Sequence, residues 1–116
     1  MILDKTAHFD TEALVMLEEI MEDEFSELIQ VFIDDSDPRI AAMQSALSEQ
    51  NALLLKEIAH SFKGASSNLS ALPLAEICFK IEEKSRDVNF EGLPSLILEA
   101  DTEYQSVKTI LLSLIK

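Results

Sequence analysis

Tryptophan is absent from this 116-residue chain, glycine occurs twice, proline three times and cysteine once. Each scarcity excludes something. A lone Cys78 cannot close an intramolecular disulfide and argues against a cysteine-based zinc site. It points instead to a reducing compartment. With so few Gly and Pro, stretches rich in Leu, Ile, Ala, Glu, Lys, Gln and Met run on unbroken, and these are strong helix formers. Runs of β-branched residues bounded by turn residues, the mark of strands, are missing. No apolar run approaches the ~20 residues that span a bilayer. The opening MILDKTAHFD has no basic region followed by an apolar stretch, so no signal peptide is expected. Basic residues are scarce too: 9 Lys and Arg face 22 Asp and Glu, for a net charge of −13. A field of that sign repels phosphate backbones and anionic lipid, so neither nucleic acid nor a membrane is expected as a partner. The expected location is cytoplasmic.

What is present suffices for one core. Hydrophobic residues make up 47% of the chain, and its length suits a single domain over 1–116. Residues 1–9 read as a lead-in whose Ile2, Leu3 and Phe9 can pack back, with His8 an exposed tail residue. Asp10 or Thr11 caps a first helix over 11–22, in which Ala13, Leu14, Leu17, Ile20 and Met21 recur at helical spacing. After an acidic break, a second pattern covers 24–50. Pro38 inside it either kinks one long helix or opens a new one, and the apolar stripe resumes in phase, which favours the kink. Further helices are expected over 52–72, over 73–86 opening on Pro73, and over 92–115. The pattern describes an all-α fold, an antiparallel four-helix bundle with a short additional N-terminal helix.

The third helix carries the chemistry. At about 3.6 residues per turn, Leu54, Leu55, Ile58, Ala59, Phe62, Ala65, Ser66 and Leu69 share one broad arc. His60 points the other way, with Lys56, Glu57, Lys63, Gly64 and Ser67 around it. A mid-helix glycine costs about 1 kcal/mol relative to alanine. On the polar arc, one turn from a histidine, it leaves room for another molecule to approach the ring. An imidazole offers a free lone pair at neutral pH and needs no separate base to act as a nucleophile. Phosphoryl transfer asks mainly for positioning and charge stabilisation, which the Lys63 ammonium can give. Lys56 can add long-range attraction, and Ser67 can donate a hydrogen bond. There is no glycine-rich nucleotide loop and no metal-site spacing of carboxylates or histidines. The chain can therefore accept and donate a phosphoryl group, but the rest of the active site must come from a partner.

These residues, AHSFKGASSNLSAL at 59–72, resemble the signature of histidine phosphotransfer (HPt) domains: His, Lys three residues on, Gly four on, then small residues. FIDDSDPRIAAMQSAL at 32–47 is similar to the family's second bundle helix with its internal proline, and LAEICFKIEEKSRD at 74–87 to the helix that follows the histidine. The likeness covers residues 10–112 and is to a stand-alone carrier of the bacterial phosphorelay type. It implies that His60 is the phosphoacceptor, Lys63 the phosphoryl-contacting lysine and Gly64 the clearance glycine. It also implies a polar group on the next helix that orients the ring, a place filled by Glu82, with Glu83 equally near in sequence. The implied partners are receiver domains of hybrid sensor kinases and response regulators, whose aspartate pockets supply Mg²⁺, so no resident cofactor or metal is expected. The protein would then be a monomeric phosphocarrier, with no enzyme activity of its own. Leu14, Leu17, Met21, Phe25 and Leu28 are candidates for the docking ring, with Leu53 on the His60 face itself. The family often has Gly before Ala where this chain has Ser70-Ala71, and only a minor change at the helix end is expected. An alternative on the same bundle is an adaptor that binds a receiver or kinase and is never phosphorylated.

Overall fold

The computed structural model describes residues 4–115. The expected packing of Ile2 and Leu3 lies outside the described residues. Five helices follow a single 3₁₀ turn at Lys5–Ala7: α1 (Thr11–Met21), α2 (Phe25–Ser48), α3 (Ala52–Asn68), α4 (Leu72–Arg86) and α5 (Leu93–Leu114). The starts are chemically marked. Asp10 accepts the Ala13 N–H through its side chain, Asn51 accepts that of Leu54, and prolines occupy the first turns of α4 and α5. α2 runs unbroken through Pro38. α1 stops at Met21 because Glu22 turns to φ 49 and ψ −121, and Glu22–Glu24 form a 3₁₀ turn into α2.

The ends of α2, α3 and α4 share one device. In each, the second residue beyond the last turn is left-handed: Gln50 at φ 54, Ser70 at φ 61 and Val88 at φ 53. The N–H groups of Ser70 and Ala71 return to the carbonyls of Ser67 and Ser66, both at 2.9 Å. This Schellman closure satisfies carbonyls that the helix leaves free. It also ends α3 at Asn68, short of the expected 72. Ser70 thus holds a conformation in which glycine carries no Cβ penalty, so the departure from the family's Gly-Ala pair is more than minor for the backbone.

α2 packs on α3, α3 on α4, α4 on α5, and α5 returns to α2, closing a four-helix ring. Ile29 and Met43, Leu55 and Phe62, Ile81, and Leu111 come from all four helices and are fully buried. Tyr104 of α5 is the hub. Its ring meets Phe62 edge-on at 5.7 Å and Phe32 at 6.0 Å. Its buried hydroxyl donates to Asp37 at 2.5 Å, and Lys108 reaches the same carboxylate at 3.0 Å. Those contacts hold the Asp37 carboxyl below its ordinary range and satisfy the phenol, one residue from Pro38. Cys78 is buried, and burial pushes its thiol up to about 12, which keeps it protonated at neutral pH.

α1 lies across one end of the ring, touching α2, and the Asp10 N–H ties its start to the Ser70 carbonyl at 2.8 Å. A helix covered on so little of its circumference buries only Leu14, and Ile20, one of its apolar residues at helical spacing, is 75% exposed. His8 is not a free tail residue: its Nδ1 sits 2.7 Å from Glu103 of α5, and both side chains are mostly covered. Leu54 also departs from expectation. It stands at the rim of a groove between α2 and α3 rather than in the core, because α2 covers a narrower arc of α3 than the apolar stripe spans. Among the described residues, no helix is long and apolar enough to cross a membrane.

Val88 is the least suited of the three left-handed residues, being β-branched and largely exposed. Val88→Gly is expected to stabilise the fold by about 1 kcal/mol, relief of the Cβ clash outweighing the glycine's chain entropy. Urea titration should show a higher midpoint at unchanged slope, and a lower midpoint would refute the strain.

Candidate functional site

The rotation of α3 decides what the site can be. Leu55, Ala59, Phe62 and Ser66 point into the ring of helices, so His60 is turned outward with its side chain 68% exposed. Ser66, buried in the same stripe, returns its hydroxyl to the Phe62 carbonyl at 2.8 Å and needs no other partner. Gly64 follows one turn after His60 on the open side, and a Cβ built there would meet nothing within 4 Å. The glycine is therefore not required by internal packing. The cleared surface faces solvent.

Across from α3, Glu82 of α4 is buried at 4% exposure, an unusual place for a carboxylate without partners. It has three. Its Oε2 lies 3.0 Å from His60 Nδ1 and 3.2 Å from Arg86 Nη2, and its Oε1 lies 2.7 Å from Lys63 Nζ. Burial works to raise the carboxyl's pKa, but the Lys63 and His60 contacts together outweigh it and hold Glu82 below the ordinary carboxylate range. The carboxylate can only accept, so Nδ1 must carry the ring proton. That leaves the Nε2 lone pair free on an exposed ring. Of the two candidate carboxylates, Glu82 reaches the histidine. Glu83 is 45% exposed and pairs with Arg86 Nη1 at 2.7 Å.

Lys63 does not point freely into solvent. Its ammonium is seated between Glu82 and the face of Phe79, 5.1 Å from that ring's centre. The 2.7 Å approach to Oε1 is the shortest of the three contacts to the carboxylate. Lys56, Glu57, His60, Glu82 and Arg86 line an open cavity of ≈ 400 Å³ beside the ring. Ser67 is exposed on the same face, about 10 Å along the axis from His60, and makes no contact with the ring. Among the described residues, no group of three or more His, Cys, Asp or Glu side chains is placed to hold a metal ion.

The apolar docking candidates divide. Leu14 at 3% exposure and Phe25 at 4% belong to the core and offer no surface, because α1 folds down onto α2 at that point. Leu17, Met21 and Leu28 are half-buried against the core, and Leu53, two turns before His60, is 62% exposed. Two residues escaped the sequence reading. Arg39 of α2 bonds Ser36 at 3.2 Å and Ser61 at 3.0 Å and lies over the Phe62 ring, tying α2 to α3 beside the histidine. Arg86 contacts Glu82, and the signal for it was available: a basic residue four positions after an acid on one helix.

With this geometry in view, comparisons with known proteins agree among themselves. The chain matches the Hpt domain family over residues 27–109. It is 28% identical over 87 residues to histidine-containing phosphotransfer protein 2 of Arabidopsis thaliana, covering 72% of this chain and 56% of that protein. Histidine-containing phosphotransfer protein 5 of the same plant gives 28% over 87 residues, 72% of this chain and 55% of that protein. The chain thus spans little more than half the length of these relatives. The crystal structure of histidine-containing phosphotransfer protein B (HptB) from Pseudomonas aeruginosa PAO1 superposes with a TM-score of 0.88 at 37% identity, covering 91% of this chain and 92% of that one. A putative histidine-containing phosphotransfer protein from rice shares the fold at a TM-score of 0.84 and 17% identity, over 97% of this chain and 84% of that one.

The depressed Glu82 carboxyl has a thermodynamic consequence. A carboxyl lowered on folding contributes stability above its unfolded range, and that stability is lost as pH falls through the folded value. Glu82→Gln should therefore lose less stability than the wild type on acidification from about pH 5 to pH 3, read by denaturant titration at each pH. Parallel acid limbs for the two proteins would show that Glu82 is not held charged by its neighbours.

Proposed function

The chain belongs to the histidine phosphotransfer (Hpt) domain family, and from that premise we propose that it is a phosphorelay carrier, taking a phosphoryl group from a receiver-domain aspartate onto His60 Nε2 and passing it to another receiver. One observation supports this above the rest: the exposed imidazole has its Nδ1 bound to buried Glu82, which leaves its other nitrogen free to attack. The lone pair of Nε2 adds to phosphorus, the bond from phosphorus to the aspartyl oxygen breaks, and the aspartate leaves with the electron pair. The Nδ1 proton stays on the ring, facing Glu82, so the positive charge of the phosphorylated imidazole is balanced by a carboxylate already in place. Donation is the same sequence in reverse. The imidazolium is the better leaving group because that proton is held.

Lys63 offers the anionic phosphoryl oxygens a cation one helical turn away, and Gly64 leaves the path to Nε2 open. In this reading any Mg²⁺ comes with the partner's aspartate pocket. Leu17, Met21, Leu28 and Leu53 are the apolar surface we assign to receiver docking, with Leu14 and Phe25 withdrawn from it. The reading places the protein in the cytoplasm as a monomer, a state that leaves His60 accessible to several receivers in turn. The adaptor alternative gives no reason for a free Nε2 beside a cleared glycine.

Incubation with a phosphorylated receiver should put an acid-labile phosphate on His60, and His60→Gln should take none. Label on another residue ends the proposal. Lys63→Ala should slow transfer in a folded protein. Gly64→Ala separates stability from function: alanine has free space there and should stabilise the helix by about 1 kcal/mol. The same methyl should slow transfer, and a full-rate alanine variant would remove clearance as the glycine's role.

A further inference from the structure

Glu82 is buried between α3 and α4. Two side-chain cations contact its carboxylate besides His60, and they are seated differently. Lys63 reaches Oε1 at 2.7 Å and rests over the Phe79 ring. Arg86 donates to Oε2 at 3.2 Å, to the same oxygen that faces His60 Nδ1, and its second amino group is fixed on Glu83 at 2.7 Å. Lys63 is on the histidine's own helix, one turn from the ring. Arg86 sits on the last turn of α4, with one amino group on Glu82 and the other on Glu83.

We propose that Arg86 is a positioning residue for phosphotransfer: it holds the Glu82 carboxylate on His60 Nδ1 and remains as its counter-ion when Lys63 turns to the phosphoryl group. The inference rests on His60 as the phosphoacceptor. A phosphoryl group on Nε2 brings close to two negative charges beside the ring. Lys63 can answer them only by loosening its grip on Oε1. Were Lys63 the sole cation, that move would leave a buried carboxylate uncompensated, and the carboxylate would either take up a proton or swing off the ring. With Arg86 in place, Lys63 is released while the Nδ1 proton stays put. The arginine's planar fork suits this role better than a point charge, because one amino group is braced on Glu83 while the other aims at Oε2. The charged groups around the ring are then complete: Lys56, Glu57 and Lys63 from α3, and Glu82 with Arg86 from α4.

The test combines ring nitrogen NMR of the unphosphorylated protein with transfer from a phosphorylated receiver. The wild type should show the pure Nδ1–H tautomer of His60. Arg86→Gln, at a half-exposed position on a terminal turn, should keep its helical circular dichroism, mix the two tautomers and slow transfer about tenfold, the scale of one lost hydrogen bond to a buried charge. Arg86→Lys, which keeps the charge without the fork, should restore both only in part. Glu83→Gln, which removes only the brace, should mix the tautomers and slow transfer less than Arg86→Gln. In the wild type, the Lys63 side-chain nitrogen signal should move on phosphorylation of His60. An Arg86→Gln protein with an unmixed tautomer and full rate overturns the proposal, as does a Glu83→Gln protein as slow as Arg86→Gln. A Lys63 signal that ignores phosphorylation overturns the exchange without relying on any variant. Failure of wild-type His60 to take label would sink the phosphorelay reading instead, and the tautomer comparison would still judge what Arg86 does for the ring.

Discussion

Everything at the site depends on how α3 is turned about its own axis, and that angle is set by Phe62 lodged against Tyr104. The two rings meet edge-on in a core that also takes Leu55 and Ala59 from the same helix, so α3 has one rotational setting that buries its apolar stripe. His60 lies two residues from Phe62, and a helix turns about 200° over that interval. Fixing the phenylalanine inward fixes the imidazole outward. Tyr104 is itself held by Asp37, which also accepts from Lys108, so the setting is secured from α2 and α5 together.

A second constraint acts on the ring rather than the helix. An exposed imidazole would ordinarily sample both tautomers and several rotamers, and either freedom would blunt it as a nucleophile. A buried carboxylate on the neighbouring helix removes both at once, because it accepts from one nitrogen only and cannot follow the ring outward. Burying that charge is costly, and the cost is offset locally by Lys63 and Arg86. The site is thus a small electrostatic cluster mounted on a rigid apolar frame. The chain's large negative charge lies mostly elsewhere: residues 10–38 hold 11 acids and no base.

Enclosure and accessibility are divided along the same line. The four-helix ring carries the histidine on its most buried helix pair, whereas α1 leans on one end with Val15, Met16 and Ile20 facing solvent. The apolar surface near the bundle end therefore comes from the less enclosed element.

The sequence by itself determined the helices, their order and the outward face of α3, because amphipathic periodicity and capping are local properties of neighbouring residues. Asp10 and Pro73 marked helix starts that the fold uses, and the His60, Lys63, Gly64 spacing could be read as a single exposed face. Tertiary structure decided what spacing along one helix cannot express. It chose Glu82 over Glu83, since a difference of one residue is about 100° of helix rotation and only the angle between α3 and α4 tells which carboxylate points at the ring. It put Leu14 and Phe25 in the core and brought His8 onto Glu103, contacts made by chain segments far apart in sequence. It also ended α3 at Asn68 through Schellman bonds that a serine in place of glycine had concealed. Burial and pairing depend on what each face meets, and that is settled only when the helices close on one another.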